Sequence, residues 1–107
     1  MVFYVNGSKW HLRFVSPNDG NLRRSDGIYT IGVTDNQIKT VCVATGLSDA
    51  MLDKVLFHEL CHVYSFEHGL KMDIQTEEIV ADFLASYGRE VIYTADSLMD
   101  NLMEKLA

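Results

Sequence analysis

The densest chemistry in this chain lies in His58-Glu59-Leu60-Cys61-His62, an H-E-x-x-H string. On an α-helix, positions four apart lie one turn above each other and only about 40° round the axis, so both imidazoles can face one cation. Zinc accepts such nitrogen donors and, when bound, lowers the pKa of water toward about 7. Glu59, next to the first histidine, is placed to take the proton of that water as general base. A tetrahedral site of this kind needs a third protein ligand and an open position. One candidate is Glu78 in Glu78-Ile79-Val80-Ala81-Asp82, which shares a helix face with Asp82. The Asp82 carboxylate could accept the outer N–H of a ligating histidine and so hold its tautomer. The same acids have a blander reading, in which Glu77 and Glu78 only complement the positive end of a helix and Asp82 is a solvated charge. The alternative metal ligand is His68, six residues beyond His62. It reaches a metal only if the chain turns sharply near Ser65, where no glycine stands. On an unbroken helix His68 is a last-turn residue matched to the negative pole. Cys61 reads as a small core residue and needs no role at a metal.

Two helices must present these groups. Ser48 can cap a helix start, Asp49 and Asp53 suit its positive pole, and Leu47 can staple against Leu52. Met51, Leu52, Val55, Leu56, Val63 and Phe66 recur at helical spacing, and Gly69 supplies the stop, which predicts a helix to about His68. A second helical pattern opens near Thr76 and runs to the C-terminus, with Gly88 and Thr94-Ala95-Asp96 as places where it could bend or divide. Before residue 46 the period is two. Val2 to Val5 and Lys9 to Val15 flank Asn6-Gly7, a pair suited to a primed hairpin turn. Trp10, Leu12 and Phe14 then share a buried face, while His11 and Arg13 face solvent. Residues 16–27 read as a twelve-residue loop rich in turn formers. Ile28 to Thr34 and Ile38 to Ala44 predict a second hairpin around Asp35-Asn36-Gln37. The expected fold class is therefore α+β: a small, antiparallel-rich sheet of about four strands, then an active-site helix and a third-ligand helix.

Size and composition bound the rest. At 107 residues and 12.1 kDa, the chain is a single domain. Its 48% hydrophobic and 22% charged content is that of an ordinary globular protein. Fifteen acids against nine bases give a net charge of -6, the wrong sign for direct nucleic-acid binding. Twelve of those acids lie in residues 48–107, which carry the metal-binding pattern. Neither a membrane-length apolar run nor a secretion-like start is present, so the expectation is a cytoplasmic protein with no membrane partner. Two cysteines, Cys42 and Cys61, are too few for a disulfide framework and are expected to be reduced.

His58-Glu59-Leu60-Cys61-His62 followed by Glu78-Ile79-Val80-Ala81-Asp82 resembles the gluzincin pattern of zinc peptidases. With Gly32-Val33-Thr34-Asp35, Ile38-Lys39-Thr40-Val41 and the run VADFLASYGREVI, residues 28–95 are similar to the ImmA/IrrE-type metallopeptidases common in bacterial prophages and mobile elements. The resemblance implies a minimal zincin fold. It also implies a zinc metalloendopeptidase, phage- or mobile-element-associated, acting on a protein or peptide substrate. By position it implies His58, His62 and Glu78 as zinc ligands, Glu59 as general base, and Asp82 as support for His58. The family's better-known regulators carry further segments, so a specific proteolytic role does not transfer. Tyr64, Tyr87, Tyr93 and His68 are available as transition-state donors, but a helical tyrosine packs as readily, and none is assigned that role. The competing function is a catalytically silent zinc-binding regulatory or interaction module, in which the metal staples a small core.

Overall fold

A computed structural model describes residues 1–23 and 30–106. The chain runs β1 (Val2–Val5), β2 (Ser8–Val15), a 3-10 turn (Gly20–Leu22), β3 (Gly32–Asp35), β4 (Thr40–Ala44), α1 (Asp49–Glu67) and α2 (Ile74–Leu106). The fold is α+β. Asn6 and Gly7, at φ of 50° and 81°, form the primed turn that pairs Val5 with Ser8 and Val2 with His11.

The sheet departs from the expected antiparallel arrangement at its centre. Its order is β1-β2-β4-β3, and although β1·β2 and β3·β4 are antiparallel, β2 and β4 run parallel, so the sheet is mixed. The segment after β2 carries the chain to the far edge, β3 returns along that edge, and β4 inserts between β2 and β3. The composition of β4 explains its central place. All five of its residues are buried, as is usual for a strand covered on both faces. Val41 and Val43 pack with Val5, Trp10, Val55 and Val63 beneath α1, while Cys42 and Ala44 pack with Val15 and Leu22 on the other side.

Leu22 revises the reading of residues 16–27 as a loop. Asp19 caps a short 3-10 turn through Asn21, and this turn drives Leu22, fully buried, against the second face of the sheet. Residues 24–27 of the expected loop and 28–29 of the expected strand lie outside the described residues. The second hairpin is shorter than expected. Its turn spans residues 36–39, with Asp35 Oδ1 accepting from Gln37 N at 2.9 Å and Lys39 at φ 50°. Along β2 the alternation holds for Trp10, which is buried, and His11, which is exposed. Phe14, at the end of the strand, remains half exposed.

Ser48 caps α1, its Oγ accepting from Met51 N at 3.2 Å. The helix runs unbroken past Ser65, and Gly69, at φ 63°, ends it with Leu70 N donating to Ser65 O. Asp73 caps α2 through Thr76 N at 2.8 Å, so that helix begins at Ile74, before Thr76. Neither Gly88 nor Thr94-Ala95-Asp96 divides it. Gly88 instead marks a close approach, because a Cβ there would lie 3.0 Å from Phe57 Cζ. Among the described residues no helix is long and apolar enough to cross a membrane.

Candidate metal centre

Within α1 the i, i+4 spacing puts His58 and His62 side by side, their Nε2 atoms 3.2 Å apart. The first turn of α2 crosses this face. Glu78 Oε2 lies 3.1 Å from His58 Nε2, and Oε1 lies 2.9 Å from His62 Nε2. The outer ring nitrogens are held too: His58 Nδ1 is 2.8 Å from Asp82 Oδ1, and His62 Nδ1 is 2.5 Å from Glu77 Oε1. Each neutral imidazole carries one N–H, and a carboxylate acceptor beside each Nδ1 draws that proton outward. Both Nε2 atoms and both Glu78 oxygens are then acceptors converging on one point with no donor among them.

Such a set is satisfied by a cation. Separations of 2.9–3.2 Å are also close to the edge of a tetrahedron with metal–ligand bonds of about 2.0–2.1 Å, roughly 3.3 Å. The donor set therefore fits zinc, and His58, His62 and Glu78 form the one group among the described residues placed to hold a metal ion. His68 is not brought to this point. It caps the C-terminus of α1 and stacks on Tyr64, with ring centroids 5.9 Å apart. The reason is the continuity of the helix through Ser65, which carries His68 along the axis and away from the His58 face.

Glu59 stands alongside this point, its Oε2 3.9 Å from His58 Nε2, in a setting only 7% exposed. Burial pushes its carboxyl above the ordinary range. The Thr34 hydroxyl, donating to Oε1 at 2.8 Å, pulls it back. The sheet edge provides this seat. Gly32 and Thr34, two apart on β3, face α1, and a Cβ on Gly32 would come within 2.7 Å of Val55 Cγ1 and 3.2 Å of Glu59 Cγ. A side chain at 32 would thus displace the helix that carries Glu59.

Sequence reasoning passed over three of these contributors. Gly32 and Thr34 entered it only as strand residues and as part of a resemblance, although a glycine inside a strand pattern signals a close backbone approach. Glu77 was read as a helix-dipole charge. It is buried, accepting from Ser65 Oγ at 3.0 Å as well as pairing with His62. No local signal separates Glu77 from Glu78, because the crossing of the two helices decides which carboxylate faces which ring nitrogen.

A cleft of about 980 Å³ opens over the cluster, lined along one wall by residues 30–34 and on α1 by Met51, Val55 and Phe66. This placement explains why Met51 and Phe66, read as core residues, are more than 40% exposed: they share the face of His58 and His62 and border the cleft. Tyr64, Tyr87, Tyr93 and His68 do not line it. Cys61 is half-buried beside the site, and burial together with the Glu59 charge raises its thiol pKa, which suits a reduced, unreactive cysteine. Comparison with known protein families, curated proteins and solved structures gives no match.

Proposed function

We propose that this protein is a zinc-dependent metallopeptidase that hydrolyses peptide bonds of a protein substrate. The observation that carries this reading is the donor-free convergence of His58, His62 and Glu78, with the buried Glu59 carboxylate alongside. A zinc ion held there supplies Lewis acidity, acidifying water and polarising a carbonyl. Glu59 acts as general base: it accepts a proton from water as the water oxygen bonds to the scissile carbonyl carbon. It then delivers that proton to the departing amine nitrogen as the C–N bond breaks. Thr34 holds one oxygen of Glu59 and thereby fixes the direction of the other. Asp82 and Glu77 orient the two imidazoles.

The substrate reading rests on the cleft. Among the described residues β3 is an edge strand, and Thr30 to Thr34 line the cavity, so an extended peptide can add to this edge through backbone hydrogen bonds. A cleft bordered by a strand edge favours a peptide over a compact small molecule, and an open approach to the cluster favours an enzyme over a purely structural zinc staple. The test is Glu59→Gln. Zinc content should equal that of the wild type while hydrolysis of a denatured or peptide-library substrate is lost; retained hydrolysis would remove the general-base assignment. Glu78→Ala should lose stoichiometric zinc, whereas His68→Ala should keep it.

A further inference from the structure

α1 has 19 residues and α2 has 33, so helices of about 28 Å and about 50 Å lie side by side and cannot cover each other fully. They run antiparallel, as the pairs His62–Glu77, His58–Asp82 and Asp53–Arg89 show. Asp53 meets Arg89 and α1 begins only four residues earlier, so the N-terminus of α1 lies near the level of Tyr93. The remainder of α2 overhangs, and every residue from Arg89 to Leu106 is exposed. The molecule is correspondingly elongated, 56 × 31 × 28 Å.

The overhang is not a polar helix. Val91, Ala95, Leu98, Leu102 and Leu106 recur at three- and four-residue steps, flanked by Met99. This strip continues the face that buries Ala81 and Gly88 upstream, at seven-residue spacing through Ala95 and Leu102. An apolar groove of about 560 Å³, bordered by Phe83, Tyr87, Val91 and Leu98, runs beside it. Asp96, Asp100 and Glu104 lie on the opposite face of the helix. A lone helix with such a strip in water gains nothing from its apolar side, since helical stability in proteins comes mainly from packing that side.

We propose that a second copy of this chain covers the strip, the two α2 overhangs pairing antiparallel about a two-fold axis near Met99. The arrangement is self-complementary, as a two-fold interface must be. Each overhang comes to lie in line with the partner's α1, so the negative C-terminal pole of one helix faces the positive N-terminal pole of the other. Lys105, the charge on the apolar side of the last turn, is brought toward Asp49 and Asp53 at the start of the partner's α1. A parallel pair would instead set Lys105 against its own copy. The acids on the back of the overhang point outward in both copies and do not meet. Two such strips bury on the order of 1,000 Å² in total, about the minimum for a specific interface and matched to a dimer that forms at high micromolar concentration.

Sedimentation equilibrium of the full chain at about 100 µM should give twice the 12.1 kDa chain mass. Leu98→Asp with Leu102→Asp should weaken association at least thirtyfold while zinc content and far-UV helicity persist. In a Cys61→Ser background, Met99→Cys should cross-link two copies under mild oxidation, and Leu106→Cys should not. A monomer at that concentration, a larger open assembly, or cross-linking at both positions would overturn the proposal.

Discussion

At the scale of single residues, the site is an exercise in satisfying acceptors. Each outer ring nitrogen of His58 and His62 has a carboxylate counterpart, and the two supporting acids are not equivalent. Glu77 is buried and also holds Ser65, whereas the Asp82 side chain is 70% exposed. Glu77→Ala should therefore weaken zinc binding about 10–100-fold and also destabilise the fold by about 1–3 kcal/mol, since it strands the Ser65 hydroxyl and the His62 N–H. Asp82→Ala should affect zinc with little change in unfolding, because water replaces its carboxylate. Chelator titration and denaturant unfolding of the two variants check this contrast. Under the proposed mechanism Thr34 positions Glu59. Thr34→Val should lower kcat roughly tenfold, leaving KM and zinc content near wild type, because it frees the Glu59 carboxylate without touching the ligands. A proportional rise in KM would instead assign Thr34 to peptide binding. The ligand spacing was legible in the sequence because i, i+4 is a property of one helix. The partners Gly32, Thr34 and Glu77 were not, because each acts across an interface between elements.

At the scale of elements, the two helices are aligned by small contacts at fixed levels. Phe57 sits on Gly88, the Arg89 guanidinium lies 5.5 Å from the Phe57 ring centroid, and Arg89 pairs with Asp53. Gly88→Val should force Phe57 aside, cost about 1–3 kcal/mol by overpacking, and shift α2 relative to the histidines. The expected readouts are a lower urea midpoint and weaker zinc binding together; a loss of stability with unchanged zinc affinity would show that the alignment is set nearer the site. The sequence pattern located both helices and the first hairpin, since caps, glycines and apolar periods are local signals. It overestimated the lengths of the second hairpin's strands. It also missed the parallel pairing of β2 with β4, because strand order depends on which strand is apolar on both faces relative to the others.

At the scale of the whole molecule, a second polar cluster ties the far end of α1 to the sheet. Glu67 accepts from Ser8 Oγ at 2.8 Å, Trp10 Nε1 at 2.8 Å and Lys39 Nζ at 2.8 Å. The Lys39 ammonium and these donors hold its carboxyl at about 2, down from an ordinary 4.5. A depressed carboxylate pKa contributes stability that is complete above about 4.5 and is lost as pH falls toward about 2. Thermal unfolding of the metal-free protein should therefore weaken across that window, and Glu67→Gln should flatten the decline while lowering Tm at neutral pH. An unchanged slope would mean that other carboxylates dominate acid unfolding.

What the sequence by itself determined is whatever one element carries alone: the histidine pair, the neighbouring glutamate, the caps, the Asn6-Gly7 turn and the α+β order. Tertiary structure alone decided that Glu77 meets His62 and that β3 seats Glu59. It also decided that Leu22 closes the second face of the sheet and that α2 outruns its partner helix. The physical reason is range. Helical and strand periodicities are written into neighbours a few residues apart, whereas these four features join groups from 15 to nearly 40 residues apart, whose meeting depends on how completed elements pack.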